Sequence, residues 1–187
     1  MNIVLHQPEI PSNTGNIGRT CVATGTAPHL IEPIKFQLNE KQVKRAGMDY
    51  WDKLLLYRYI NFADFLSKHE ELRGERGEEK TTAPRLWLAT TKAKRAYTEV
   101  SYGMGDFIMF GRESGGIPEE ILIANESACI RIPMLSEIRS LNLANSVAIV
   151  LYEALRQNGF PQMEREGRLH GTSCEVRKTL QIFQKGL

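Results

Sequence analysis

The sequence predicts an α/β fold with a mostly parallel six-stranded sheet and helices on both of its faces. Short apolar runs alternate with segments of helical periodicity along the chain, an order typical of parallel sheets. The apolar runs are short enough for buried inner strands. Glycine, proline or asparagine stands at most of the boundaries between segments. The six predicted strands are residues 3–5, 29–32, 54–58, 85–89, 106–110 and 128–132.

The first predicted helix follows the first strand. Ser12 or Asn13 is expected to cap it, and Gly25 is expected to end it. Two glycines inside this helix, Gly15 and Gly18, each cost about 1 kcal/mol relative to alanine. Either a ligand or another packed element must therefore approach the backbone there.

The middle of the chain is more polar. Helices are expected at residues 39–46 and after Asn61, and loop 74–84 is predicted to be a solvated surface. A basic segment, residues 92–95, follows the fourth predicted strand. Such a segment is more often solvated surface than a contact, but its position at the carboxyl end of a parallel strand favours a binding role.

Two loops at the carboxyl ends of predicted strands are suited to ligand binding. Gly111, Gly115 and Gly116 follow the fifth strand and permit backbone conformations that other residues avoid, and Pro118 suits the start of the next helix. Residues 133–142 follow the sixth strand and lead into a helix with apolar residues at spacings of three and four. Because free backbone N–H groups converge at such helix starts, this loop is the first candidate site.

Composition excludes several classes of protein. With 187 residues, 42% hydrophobic and 25% charged, the chain fits one globular domain and is neither disordered nor fibrous. No apolar run approaches the ~20 residues of a membrane span and no signal peptide is evident, so a cytoplasmic protein is expected. The three cysteines and four histidines show no metal-ligand spacing, so no metal is expected. A net charge of +2 does not by itself indicate a nucleic-acid partner.

Three segments occur in an order and at spacings that resemble a known family. They are NTGNIGRT, FGRESGGIP and IPM followed by RSLNLANSVAIVLYE. Together they are similar to the three motifs of the SPOUT, or α/β-knot, class of RNA methyltransferases, and within it to the compact tRNA ribose methyltransferases that act on the wobble nucleotide, position 34. LHQPEIPSNTGNIGRT and IEP...KRAGMDYW add support. The resemblance covers residues 1–161, whereas loop 74–84 and the tail 162–187, which could form one helix at 173–184, look longer than the family pattern.

The resemblance implies a fold, a cofactor and a substrate. The fold would end in a C-terminal trefoil knot, and the protein would form a homodimer through its first and last helices. S-adenosyl-L-methionine would donate a methyl group to the ribose 2′-hydroxyl of nucleotide 34 in a tRNA anticodon stem-loop. The cofactor-binding positions that the motifs imply are Ala89, Gly111, Ile132 and Ser140.

Three residues are candidates for the chemistry that such a transfer needs, which is alignment of the hydroxyl and help with its deprotonation. The family's candidate for handling the proton is Arg19; because arginine is a poor base, it could equally stabilise the developing alkoxide or hold a phosphate. Glu113 is expected to orient Arg19 or to brace the glycine loop. Tyr152 is expected to contact substrate or to pack as an aromatic ring. The expected RNA contacts are Lys92, Lys94, Arg95 and Arg139.

Three alternatives to the wobble-nucleotide assignment stay open. The same chemistry could act on another tRNA site or on ribosomal RNA, the chain could be a catalytically silent RNA-binding module of this fold, or it could be a flavodoxin-like nucleotide-binding protein. A silent module would require a broken cofactor loop, but Gly111, Glu113, Gly116 and Ser140 are all present. S-adenosylhomocysteine should bind only to a methyltransferase.

Overall fold

The computed structural model of the protein describes residues 1–37, 54–72 and 83–167. The strands in these ranges are β1 Asn2–His6, β2 Ala27–Ile31, β3 Tyr57–Tyr59, β4 Leu86–Ala89, β5 Phe107–Phe110 and β6 Cys129–Ile130. The helices are α1 Pro11–Thr24, α2 Phe62–Lys68, α3 Glu119–Ala124 and α4 Leu143–Gln157. The predicted helices at 39–46 and 173–184, and most of loop 74–84, lie outside the described residues.

All six strands belong to one sheet in the order β3-β2-β1-β5-β4-β6, and every neighbouring pair is parallel. This confirms the predicted parallel six-stranded sheet. In the register of the two central strands, Leu5 of β1 lies opposite Phe110 of β5. Because parallel strands end at the same edge, the loops that follow β1, β4, β5 and β6 meet there.

Helices cover both faces of the sheet, as predicted. On one face, Ile17 of α1 and Leu151 of α4 pack against a cluster that includes Leu5 of β1. On the other face, Phe65 of α2 and Leu122 of α3 belong to a second buried cluster. Burying each such side chain contributes roughly 1.5–3 kcal/mol relative to leaving it exposed. These two layers fix the strand ends that form the site.

Helix α1 differs from the prediction at its start. It begins at Pro11, and Ile10 occupies the capping position without a side-chain hydrogen bond, so neither Ser12 nor Asn13 is the cap. Proline is favoured at a first helical position because its missing N–H has no partner there in any helix. Asn13 thus lies in the first turn with its amide available for other contacts. The predicted end is confirmed, since Gly25 adopts the left-handed conformation with φ of 63°.

Strand β3 begins three residues later than the predicted 54–58 and ends one residue later, at Tyr59. Its last residue, Tyr59, is buried, and its hydroxyl lies 2.7 Å from Nδ1 of His29 and 2.8 Å from Nε2 of His69. Phe65 and Phe107 pack edge-on against the His29 ring. This histidine–tyrosine chain (His29, Tyr59 and His69) forms a polar cluster among the aromatic side chains on this face of the sheet.

Strand β6 is shorter than the predicted 128–132. Only Cys129 and Ile130 pair with β4. At Arg131 the chain pairs instead with the segment after β4: Arg131 N donates to Arg95 O at 2.9 Å, and Tyr97 N donates to Arg131 O at 2.8 Å. Beyond Ile130 the backbone therefore no longer follows β4 and pairs with residues 95–97 instead.

Candidate active site

A cleft of about 710 Å³ opens at the carboxyl edge of the sheet, between the ends of β4, β5 and β6 and the start of α4. This volume is within the range of sites that bind a cofactor or a drug-sized ligand. All four predicted cofactor-binding residues, and Glu113, line it together with other residues of the same loops. The lining includes Asn13, Ala89, Thr90, Lys92, Gly111, Glu113, Gly116, Ile132, Arg139, Ser140 and Ser146.

The loop that follows β5, residues 111–116, folds back on itself at one wall of the cleft. Arg112 N donates to Gly116 O at 3.1 Å, and Gly116 N donates to Arg112 O at 2.8 Å. A methyl group on Gly111 would overlap the backbone of Gly116 and Ile117. Gly116 itself has a φ of 68°, which non-glycine residues rarely adopt. The loop can therefore close in this way only with glycine at position 111.

The Glu113 carboxylate joins this glycine loop to the start of α1. Its Oε2 accepts a hydrogen bond from Glu9 N at 2.8 Å, and its Oε1 accepts from Ile10 N at 3.3 Å and from Asn13 Nδ2 at 3.0 Å. Within the described part of the chain, Arg19 is not a partner of this carboxylate. Of the two roles expected of Glu113, the contacts are those of a residue that braces the loop.

Asn13 also connects the first helix to the last. Asn142 Nδ2 donates to Asn13 Oδ1 at 3.0 Å. Asn142 Oδ1 accepts from Ala144 N at 2.9 Å and from Asn145 N at 3.2 Å, which caps α4. Asn142 therefore satisfies two backbone N–H groups at the start of α4. One chain of hydrogen bonds, from Glu113 through Asn13 to Asn142, thus joins the three sequence motifs.

Arg19 and Tyr152 lie outside the lining of the cleft. Arg19 is exposed on α1, and Tyr152 is 43% exposed on α4, where its ring centroid lies 6.5 Å from that of Phe160. The two helices pack against each other. The structure thus places these two predicted catalytic residues on paired helices beside the cleft, and their catalytic roles stay predictions.

The predicted RNA-binding cations differ in their surroundings. Lys92 and Arg139 line the cleft. Lys92 forms an ion pair with Glu119, and Lys94, whose side chain is 90% exposed, forms one with Glu126 at 2.9 Å. The four residues of these pairs are among those that line a second cavity, of about 540 Å³. Both ion pairs are exposed to solvent, and such pairs contribute at most about 1 kcal/mol.

Two residues that contact the glycine loop were not predicted as site residues. Glu9 Oε2 accepts from Ser114 N at 2.9 Å, and hydrogen bonds from Ser114 lower the pKa of Glu9. Asn13 was expected only to cap a helix. In the sequence, Glu9 is recognisable only as an acidic residue directly before the start of a helix. That position does not reveal that its partner, Ser114, is 105 residues away.

Two negative findings apply to the described residues, 1–37, 54–72 and 83–167. None of the helices there is long and apolar enough to cross a membrane. No group of three or more His, Cys, Asp or Glu side chains in these ranges could hold a metal ion.

The fold and the cleft define a class of protein. The strands of the parallel sheet end at a cleft, and a glycine loop and a capped helix form its walls. This arrangement is typical of α/β proteins that bind a nucleotide-like cofactor. Comparison with known families gives the particular one. The profile of the SpoU rRNA Methylase family matches residues 1–152, and the chain belongs to this family.

Individual relatives extend this result. A tRNA (cytidine(34)-2′-O)-methyltransferase of Escherichia coli strain K12 is 44% identical over 162 residues, which are 86% of this chain and 96% of that protein. A structure solved to explain 2-OH methylation of C/U34 on tRNA has a TM-score of 0.73 and 41% identity, and the match covers 84% of this chain and 95% of that one. An AdoMet-bound rRNA methyltransferase from Sinorhizobium meliloti has a TM-score of 0.68 and 25% identity, covering 83% of this chain and 55% of that one.

Proposed function

We propose that the protein transfers a methyl group from S-adenosyl-L-methionine to the ribose 2′-hydroxyl of nucleotide 34 of tRNA. The observation that carries this proposal is the cleft itself, whose walls bring together the glycine loop, the end of β4 and the loop before α4. The E. coli relative, named for this reaction, matches nearly its whole length to this chain.

The residues that line the cleft support binding of the methyl donor there. Gly111 leaves no space for a side chain, so the loop backbone can form the wall. Ile132 supplies apolar surface, while Ser140 and Thr90 supply hydroxyl groups. In the proposed site, Ala89, Gly111, Ile132 and Ser140 hold the donor, whose sulfonium supplies the electrophilic methyl group. The chain then has only to align the hydroxyl, aid its deprotonation and exclude water.

Catalysis in this scheme belongs to Arg19, with Tyr152 as a substrate contact and Glu113 as the brace of the loop. Arg19 carries a permanent positive charge and donates up to five hydrogen bonds, so it would stabilise the developing alkoxide or hold the neighbouring phosphate rather than act as a simple base.

A homodimer would complete the site. Arg19 and Tyr152 lie on α1 and α4 outside the cleft lining, and pairing through these helices would bring both to an interface. Exposed apolar side chains support such a surface, because large exposed apolar groups mark contact sites. Those near the cleft and on α4 are Ile10, Leu135, Ile138, Leu141, Ile149 and Tyr152.

The remaining parts of the proposal concern the chain ends, the RNA and the location. Residues 1–161 would form the methyltransferase domain with a trefoil knot, and residues 162–187 a tail.

The anticodon stem-loop would contact Lys92, Lys94, Arg95 and Arg139, because its unpaired bases and 2′-hydroxyls are open to side chains. The cytoplasm is the proposed location.

Methylation of ribosomal RNA is the second candidate. It is favoured by the S. meliloti rRNA methyltransferase, which shares the fold, although the match covers only 55% of that chain. A silent RNA-binding module is opposed by the intact glycine loop and the open cleft beside it.

The test is to incubate the protein with labelled S-adenosyl-L-methionine and unmodified total tRNA, followed by nuclease digestion and mass spectrometry. The proposal predicts a 2′-O-methyl group at nucleotide 34. A methyl group elsewhere in tRNA would keep the reaction and reject the wobble assignment. Labelling only of ribosomal RNA would favour the second candidate, and cofactor binding without any transfer would point to a required prior modification of the tRNA.

A further inference from the structure

A reciprocal pair of glutamates holds the glycine loop against the segment before α1. Glu113 Oε2 accepts from Glu9 N at 2.8 Å, and Glu9 Oε2 accepts from Ser114 N at 2.9 Å. Each carboxylate therefore bonds the backbone of the other's segment. Two such bonds in opposite directions restrain both the distance between the loops and their relative orientation.

The two glutamates restrain different parts of the loop. Glu113 has three donors, of which Asn13 Nδ2 lies 3.0 Å away inside α1. Glu9 instead fixes Ser114, directly before Gly115, which lines the cleft. The Arg112–Gly116 hydrogen bonds close the base of the loop but leave its tip, Ser114 and Gly115, without a restraint of their own. Glu9 supplies that restraint.

We propose that Glu9 is a positioning residue, which acts through Ser114 to fix the tip of the glycine loop relative to α1 and so aligns the methyl donor with the 2′-hydroxyl. This inference rests on the proposed function, because the loop is the proposed donor wall and α1 carries Arg19. Glu9 does not itself line the cleft. Its effect is therefore on the alignment of bound groups, since displacements of about 1 Å can cost roughly 100-fold in rate.

Three substitutions of Glu9 separate the effect of its side-chain length from the effect of its negative charge. Glu9→Gln keeps an oxygen at the same reach but is neutral, Glu9→Asp keeps the charge but is one methylene shorter, and Glu9→Ala removes both. Glu164→Ala, at an exposed glutamate in the segment after α4, is the matched control. For each variant, kcat and KM for tRNA, the Kd of S-adenosylhomocysteine and the thermal midpoint are measured.

We expect kcat to fall about tenfold in the Ala and Asp variants, with KM for tRNA and the Kd of S-adenosylhomocysteine within about threefold of wild type. The Gln variant should keep kcat within about twofold. A normal thermal midpoint in all variants would show that the fold is intact.

Several results would overturn the inference. They are an Ala variant as active as the Glu164→Ala control, an Asp variant that keeps activity while the Gln variant loses it, and a loss of S-adenosylhomocysteine affinity that equals the loss of kcat. If wild type binds S-adenosylhomocysteine but methylates neither unmodified nor previously modified tRNA, the proposed function is wrong and the positioning role fails with it. An active wild type with an equally active Glu9→Ala variant would refute the positioning role alone. A fall in kcat that the Glu164→Ala control shares would show that the effect is not specific to Glu9.

Discussion

Two polar clusters in this protein differ in their exposure and in the chain segments that they join. The first, the cleft network, borders the open cleft and consists of Glu9, Asn13, Glu113, Ser114 and Asn142. Its hydrogen bonds connect residues at least 100 positions apart along the chain. Water can reach several of these groups, so their bonds contribute little net stability. We expect substitutions there to change binding and rate more than folding.

The second cluster is the histidine–tyrosine chain inside the sheet. His29 is 3% exposed, and the Tyr59 hydroxyl forms hydrogen bonds with the rings of both His29 and His69. Burial lowers the pKa of His29 to about 4 and raises that of Tyr59 to about 12. Neither residue lines the cleft. Because a buried polar group without a partner is costly, we expect substitutions here to change folding and to leave methyl transfer intact.

The largest expected effect is on cofactor binding. Replacing Gly111 by Ala would drive a methyl group into the backbone of Gly116 and Ile117, so the loop cannot close. Strain of a few kcal/mol corresponds to a loss of S-adenosylhomocysteine affinity of roughly 100-fold or more by calorimetry. Gly116→Ala is the matched control: its methyl group meets open space and only its φ is unfavourable, so its loss should stay below about tenfold. Equal losses in the two variants would contradict the role of the close approach at Gly111.

Arg19→Ala separates chemistry from binding. Because Arg19 lies outside the cleft lining, its loss should abolish turnover while the Kd of S-adenosylhomocysteine stays within about threefold of wild type. Single-turnover methylation of tRNA measures the first quantity and calorimetry the second. A variant that methylates tRNA at the normal rate would show that Arg19 has no catalytic role.

Tyr59→Phe tests whether the histidine–tyrosine chain stabilises the fold without a role in methyl transfer. The substitution leaves His29 Nδ1 and His69 Nε2 without their hydroxyl partner. We expect the free energy of unfolding to fall by roughly 1–3 kcal/mol in urea titrations, with kcat unchanged. Tyr57→Phe, on the same strand but exposed, is the control and should be neutral. A Tyr59→Phe enzyme with normal stability and reduced kcat would reverse the assignment of the two clusters.

The smallest expected effect is a dependence of stability on pH. The pKa of His29 is about 4 in the folded protein, below the ordinary value of 6.5. As pH falls, His29 therefore becomes protonated in the unfolded chain at a higher pH than in the folded protein. His29 therefore lowers stability as pH falls below 6.5, by about 1 kcal/mol between pH 7 and 5.5. Urea titrations at the two pH values measure the difference, which should shrink in His29→Gln. An equal difference in both proteins would assign the effect to other groups.

The same comparison shows how much the sequence could predict. The parallel sheet and the loops at its carboxyl edge follow from short apolar runs, glycines and capping residues, which are local signals. Glu9 and Ser114 are 105 positions apart, and their hydrogen bond leaves no local pattern. Asn13 was expected to cap α1 because its residue type favours that role, but Pro11 begins the helix and frees the Asn13 amide for Glu113.

Strand ends were also beyond local reasoning. The apolar run 128–132 continues past Ile130, but Arg131 pairs with Arg95 and Tyr97 instead of β4. Hydropathy does not distinguish these two partners. The strand that contains Tyr59 was placed too early because the partner of its hydroxyl, His29, is a tertiary contact. In both cases, the end of the strand depends on a backbone or side-chain group that is distant in the sequence but lies next to the strand in the fold.

The carboxyl-edge cleft, and not the histidine–tyrosine chain, is the proposed binding site of the methyl donor. The most direct measurement is a titration of the isotope-labelled protein with S-adenosylhomocysteine, followed by amide NMR shifts. Saturable shifts are expected at the amides of Thr90, Gly111 and Ser140, with those of His29 and Tyr59 unchanged. No saturable shifts, or shifts confined to the interior around His29, would reject the cleft as the donor site.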